Sequence, residues 1–271
     1  MHLVDHWRRM IYRLAVLDAL NRNCSILRIA RFRNLHRVLV MTIFTLKQLA
    51  SHSANAMAGS VRWNYDRAEL IADGVVHVLG IGFGLIATTA LIVLAGVFAS
   101  AFEIVSVSVY AAGLLAMLGF SAAYNLWPVS PRKWLLRRFD HSAIFILIAA
   151  TYTPVFVQLK DRVFAMSLLA GVWSVAITGI MLKLFWPGRF DRVSVGLYLA
   201  MGWSGLIAYD AGVASLPHMA LWFIFAGGAL YTLGVIFHAW QRLRFQNAIW
   251  HSFVLLGAAC HYTAVLDLVL A

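Results

Sequence analysis

Glu69, Asp73 and His77 recur at intervals of four residues, and the same interval separates Ser121 from Asn125 and Asn247 from His251. Side chains four apart share one face of a helix, so each group presents its polar atoms in one direction. Asp140 and His141 are adjacent, and His238 closes an apolar run shortly before Asn247. Imidazoles and carboxylates that converge from several helices can hold a divalent cation, with water in a position left open. Plainer accounts compete. Glu69 and His238 fit span ends that meet headgroups and water, and Asp140 follows Arg137 and Arg138 and would pair with them. His261 lies ten residues beyond His251, about 15 Å further along a helix, and suits a hydrogen-bonded core position better than a ligand. His77 and His251, each with a polar partner four residues away, are the best histidine candidates. Spacing alone leaves a metal site and a plain polar layer both open.

These residues are positioned by a membrane. The chain is 62% apolar and only 12% charged, about half the charge of a soluble domain. That is too little polar surface to coat a water-facing globule. Seven apolar segments follow one another at 72–98, 104–127, 140–157, 163–182, 193–209, 219–240 and 248–270. Each is too long for a barrel strand and lacks a period of two, so each reads as a helix. The fifth is the shortest. Loops rich in Lys and Arg (Arg132, Lys133, Arg137 and Arg138; Lys183, Arg189 and Arg192; Arg242 and Arg244) alternate with neutral or nearly neutral ones. The positive-inside rule then puts the N-terminus inside and the C-terminus outside. The expected fold is an all-α integral membrane bundle of seven transmembrane helices. In that topology Glu69, Asp73, His77, Ser121, Asn125, Asp140, His141, His238, Asn247 and His251 all fall near the inner surface. Ionisable groups inside spans are costly and call for a functional explanation.

The domain spans 69–271, and residues 1–68 form a basic leader. Half of the 22 Lys and Arg precede Glu69, which suits an anionic membrane surface rather than nucleic acid. The leader reads either as an amphipathic surface helix or as an extension upstream of a native start at Met57. It lacks the apolar core and cleavage site of a clean signal peptide. Cys24 and Cys260 are far apart and form no C-x-x-C pair, so neither a disulfide framework nor a zinc knuckle is implied. Gly80 and Gly84 form a G-x-x-x-G in the first span, read either as a close helix contact or as ordinary membrane-helix glycine.

Several stretches resemble one family. RAELIADGVVHVLG at 67–80, LRRFDHSAIFILIAATYTP at 136–154 and AIWHSFVLLGAACHYTAV at 248–265 are similar to the first, third and last spans of the hemolysin III family, which belongs with the progestin and adipoQ receptors and the adiponectin receptors. The D-H-S-A-I and T-Y-T-P runs are the most specific. The resemblance covers roughly Tyr65 to the C-terminus and implies a seven-helix bundle with a cytoplasmic N-terminus. It also implies a zinc ion near the cytoplasmic side. Its ligands would be one histidine from an S-x-x-x-H motif and two from an H-x-x-x-H motif, with an aspartate holding the water on the zinc. Here the first motif runs from Ser121 to Asn125 and the second from Asn247 to His251, while Asp140 matches the aspartate. Two ligand histidines are thus asparagine, and Asp73 stands where the family commonly has asparagine.

An amide oxygen is a weak zinc ligand beside an imidazole nitrogen, although asparagine keeps the layer polar. Three readings follow. A metal is held through Asp73, His77, Asp140 and His251; the layer is a metal-free hydrogen-bond network, the slightly preferred reading; or a metal other than zinc binds weakly. The first function expected is a multi-pass inner-membrane, lipid-directed amidase or hydrolase with a degenerate zinc site. In it a metal-activated water attacks a carbonyl, Asp140 orients or deprotonates that water, and Ser121 stabilises the developing charge or orients a ligand. The alternative is a non-enzymatic receptor-like, stress-related or membrane-perturbing protein. Partners are membrane lipids and a lipid substrate, with no nucleic acid; the oligomeric state is left open.

Overall fold

The structure, a computed structural model, describes residues 65–271. The leader as far as residue 64, with both of its readings, lies outside the described residues. Helix α1 (Arg67–Phe98) starts on a capping box: the Glu69 N–H donates to Asp66 Oδ1 at 2.8 Å, and the Asp66 N–H donates to Glu69 Oε2 at 2.9 Å. That backbone hydrogen bond from Glu69 holds the Asp66 carboxyl below the usual carboxylate range. The buried residues of α1 are Glu69, Asp73, His77, Gly80, Gly84, Thr88, Leu91 and Ala95, one helical stripe. Ile71, Val78, Phe83, Ile86, Val93 and Val97 are all more than half exposed. Polar and small residues therefore face inward and large apolar ones outward, the inverse of a soluble helix. This arrangement is stable only where lipid surrounds the bundle.

Helix α2 (Ala101–Leu126) opens on a second capping box, Ser100 with Glu103. Helices α3 (Pro131–Val157) and α4 (Arg162–Phe185) follow. After α5 (Asp191–Trp203) come a 3-10 turn (Ser204–Ala208), a short α6 (Tyr209–Val213), α7 (His218–Ala239) and α8 (Gln246–Leu270). Neighbours in sequence pack as neighbours along α1–α2–α3–α4 and again at α7–α8. Contacts between α8 and α1 join the two ends, and α5 touches α3, α4 and α7. The described helices include six long and apolar enough to cross a membrane, namely α1, α2, α3, α4, α7 and α8.

The expected fifth span, 193–209, is not one continuous α-helix. The Tyr152 hydroxyl of α3 reaches into its ladder, accepting the Gly205 N–H at 2.8 Å and lying 2.9 and 2.7 Å from the Met201 and Gly202 carbonyls. Those backbone groups find their partner in a side chain, and the α-helix gives way to 3-10 turns. Gly205 permits this approach, since a Cβ there would come within 2.9 Å of the Tyr152 ring. Gly80 and Gly84 do mark a close contact. A Cβ on Gly80 would touch Leu118 and Leu255 at 3.4 Å and one on Gly84 would collide with Leu118, whereas Gly82 faces open space.

Candidate functional site

The site is assembled where α1 meets α8. Phe245, just before α8, adopts a left-handed backbone conformation with φ 59°, which is unfavourable for a bulky residue. It is held there by Glu69, whose Oε1 accepts the Phe245 N–H at 3.1 Å. Arg244 reinforces the join through Asp66 at 3.3 Å, and Gln246 donates to the His238 carbonyl at 2.8 Å. Glu69 is thus a clamp between α1 and the start of α8, close to where Asp73 faces His251.

Asp73 and His77 are buried, at 5% and 6% exposure. His251 Nδ1 lies 2.6 Å from Asp73 Oδ1. His77 Nδ1 lies 2.8 Å from the Asp73 carbonyl oxygen and 3.6 Å from Asp73 Oδ1. The two imidazoles meet edge to face with centroids 4.5 Å apart. His77 Nε2 is 3.3 Å from Ser121 Oγ on α2. Asn125 Nδ2, one turn further along α2, donates to the Ser121 carbonyl at 3.0 Å and lies 3.5 Å from His251 Nε2. With Nδ1–H on both rings, every donor in this group meets an acceptor. The third face comes from α3: Asp140 faces Ser121 and lies within electrostatic reach of His251, Arg137 and Asp73.

Asp140 is not at the head of its helix. Helix α3 begins nine residues earlier, so Arg132, Lys133, Arg137 and Arg138, expected in a loop, occupy its first turns. Nor is Asp140 the partner of the basic run. Arg137 pairs with Asp191 at the start of α5, and Lys183 of α4 reaches the same carboxylate at 2.7 Å. Arg138 donates to the Leu184 carbonyl at 3.2 Å. Asp191 was missed from the sequence. The available signal was a single acid inside the basic stretch that holds Lys183, Arg189 and Arg192. His141 stands between the two acids, 4.0 Å from Asp140 and 3.9 Å from Asp191.

The structure brings together Asp73, His77, Ser121, Asn125, Asp140 and His251. His141 is one step removed, beside Asp191. His238 rests against Trp250 with centroids 5.0 Å apart. Asn247 lines the same cavity as Asn125 and His251, and its side chain makes no hydrogen bond among the described residues. His261 lines that cavity too, but its Nε2 meets the Ile224 carbonyl at 3.2 Å. The cavity holds about 860 Å³ and is bordered along α3 from Lys133 to Phe156. One end is charged; the rest is walled by side chains such as Ile148, Val155, Leu199 and Phe225.

Asp73, His77 and His251 each offer a ligand atom, and all three atoms lie within 4.8 Å of one another. Two imidazoles and a carboxylate are a donor set found in catalytic zinc sites, so these residues fit a divalent ion. Position 125 contributes only an amide, already directed at His251.

Comparison with known proteins agrees with this architecture. Residues 65–262 match the family described as Haemolysin-III related. The chain is 38% identical over 198 residues to Hemolysin-3 homolog of Bacillus subtilis (strain 168), covering 73% of this chain and 93% of that one. It is 35% identical over 202 residues to Hemolysin-3 of Bacillus cereus, covering 74% and 92%. A more distant likeness, 29% over 174 residues, is to Monocyte to macrophage differentiation factor of Homo sapiens, covering 60% of this chain and 70% of that one. No solved structure gives a significant match. The matched region runs from the start of α1 into α8 and carries the whole Asp73–Ser121–Asp140–His251 constellation: the chain belongs to the haemolysin-III-related family, as a multi-pass membrane protein with distant adiponectin-receptor-like relatives.

Proposed function

We propose that this chain is a seven-span protein of a bacterial inner membrane, N-terminus inside and C-terminus outside. In this reading α5, the 3-10 turn and α6 together make the fifth crossing. We further propose that it is a lipid-directed, metal-dependent hydrolase whose ligand set has moved to Asp73, His77 and His251. The observation that carries this reading is the convergence of those three side chains, two of which, Asp73 and His251, line the charged end of a long, apolar-walled cavity. A divalent ion there would supply Lewis acidity toward a carbonyl oxygen. The chain's own residues would do the rest. Ile148, Val155 and Leu199 line the route that would hold an acyl chain and keep water out. Asp140, across from Asp73, would orient water and take its proton. Ser121, between His77 and Asp140, would keep both in register. Asp73 compensates for the neutral amides at Asn125 and Asn247 by bringing a formal negative charge into the same layer.

A second reading, a non-enzymatic receptor-like or stress-related protein with a metal-free polar centre, is favoured by the hydrogen bonds. Asp73, His77, His251 and Asn125 already satisfy one another. Metal content separates the two. Protein purified without chelators is expected to hold close to one equivalent of a divalent metal by mass spectrometry, and His251→Ala and Asp73→Ala are each expected to release it. Trace metal in the wild type would reject the hydrolase reading. Asn125→His combined with Asn247→His is expected to raise zinc affinity. Unchanged affinity would mean that the two asparagines do not face the ion.

A further inference from the structure

The charged end of the cavity holds more than the candidate metal ligands. Lys183 is 3% exposed and Arg137 9% exposed, and both line the cavity. They share one carboxylate, Asp191, whose side chain is itself 34% exposed. Two buried cations on one partly hydrated acid are incompletely compensated, which is costly at membrane depth. An arginine carries five N–H donors and a lysine three; Asp191 engages one nitrogen of each and Tyr124 hydrogen-bonds Arg137 as well, which still leaves more donors than partners on both cations. Among the described residues the cavity wall bears four basic residues (Lys133, Arg137, Lys183 and Arg192) and four acidic ones (Glu69, Asp73, Asp140 and Asp191). A divalent ion at Asp73 tips that balance to an excess of two positive charges.

The apolar wall continues from these charges along the same helix faces. On α3, Arg137 is followed at helical intervals by Ile144, Ile148 and Val155; on α5, Asp191 is followed by Val195 and Leu199. From Arg137 to Val155 the helix rises about 27 Å. A pocket with two buried cations that continues into an apolar channel of that length has the outline of a single-chain amphiphile, headgroup first.

We propose that the lipid-like ligand of this cavity is anionic, with its carboxylate or phosphate received by Arg137 and Lys183 and by Arg192 at the rim. This rests on the cavity being the lipid site of the reading above and specifies its ligand class. A guanidinium beside an ammonium suits either oxyanion, the arginine in two-point fashion.

The test uses the full chain in dodecyl maltoside, with metal content measured on the same samples. It is titrated with oleate, oleoyl-lysophosphatidate and oleyl alcohol while tryptophan emission is followed, because Trp203 and Trp250 line the cavity. At least one anionic ligand is expected to bind about tenfold or more tightly than the alcohol, the scale of losing one charged hydrogen bond. Whether oleate or the lysophosphatidate binds better identifies carboxylate or phosphate as the headgroup. Lys183→Gln is expected to abolish most of the preference. Arg192 is exposed, so Arg192→Gln removes a rim charge without disturbing the bundle, and it is expected to reduce the preference by about threefold. Equal affinity for all three ligands in the wild type, or a preference that both variants retain, overturns the proposal. Metal-loaded protein with no anionic preference overturns this proposal alone. Metal-free protein that keeps the preference, and loses it with Lys183→Gln, overturns the metal assignment and supports the headgroup site.

Discussion

Replacing Asp73 tests whether the polar centre is organised as described. Its Oδ1 lies 2.6 Å from His251 Nδ1 and 3.6 Å from His77 Nδ1, and the residue is only 5% exposed. A hydrogen bond to a charged group contributes about 1.5–3 kcal/mol, and a buried donor left without its acceptor loses a similar amount. Asp73→Ala removes the acceptor and should therefore cost about 2–3 kcal/mol. Asp73→Asn keeps an oxygen but forfeits the charge-assisted part, roughly half the strength, and should cost about 1 kcal/mol. For a domain of this size each kcal/mol corresponds to about 2–4 °C in Tm. Expected shifts are thus about 2–4 °C for the asparagine and about 4–12 °C for the alanine. The assay is thermal unfolding of chelator-treated protein in a non-ionic detergent, so that metal release does not enter the shift. Combining Asp73→Ala with His251→Ala closes a double-mutant cycle, with an expected coupling of about 1–2 kcal/mol. An alanine variant that melts with the wild type, or a double variant whose loss is the plain sum of the singles, would refute the idea that Asp73 organises this centre.

Three further outcomes are expected. Tyr152→Phe deletes the hydroxyl that serves Gly205, Met201 and Gly202; it should cost about 1–3 kcal/mol and speed amide exchange around 201–205, and unchanged exchange there would assign the helix break to another cause. Gly84→Ala should destabilise by about 1–3 kcal/mol because its Cβ meets Leu118, while Gly82→Ala, facing open space, should not; equal melting of the two would deny the close helix contact. The depressed pKa of Asp66 means that its cap on α1 is fully present above the ordinary carboxylate pKa and is lost as pH falls through the lowered one. Protection of the first-turn amides of α1, taken relative to unstructured exchange at the same pH, should fall below about pH 4 in the wild type and fall less in Asp66→Asn, whose amide caps without titrating.

The grouping of the centre was legible in the sequence because it rests on local periodicity. Asp73 with His77, Ser121 with Asn125, and the placement of Asn247 before His251 are separations of four on helices that the apolar segments already locate. Six of those segments are long apolar helices, for the same reason. The losses were non-local. Nothing near Asp191 in the chain indicates that Arg137, 54 residues away, will pair with it, and so Asp140 looked like the natural partner of the basic run. The fifth span resisted because its helix is interrupted by a tyrosine from another helix, a contact without any local signature. Glu69 looked like a headgroup-facing residue, since its true partner, the Phe245 N–H, is a backbone group 176 positions distant.

That distance has a consequence for how the protein is made. Asp73 and Glu69 enter the membrane with the first described helix, but their partners His251 and Phe245 lie in α8 and just before it. At ordinary synthesis rates of about 5–20 residues per second, the 178 residues between Asp73 and His251 leave the carboxylate waiting roughly 10–35 s. During that time α1 carries two acids and a histidine along a face meant for the interior. Closing the polar centre is therefore also the closing step of assembly for the described helices. A chain cut before α8 would lack its site and would strand those acids in the bilayer, marking it for degradation.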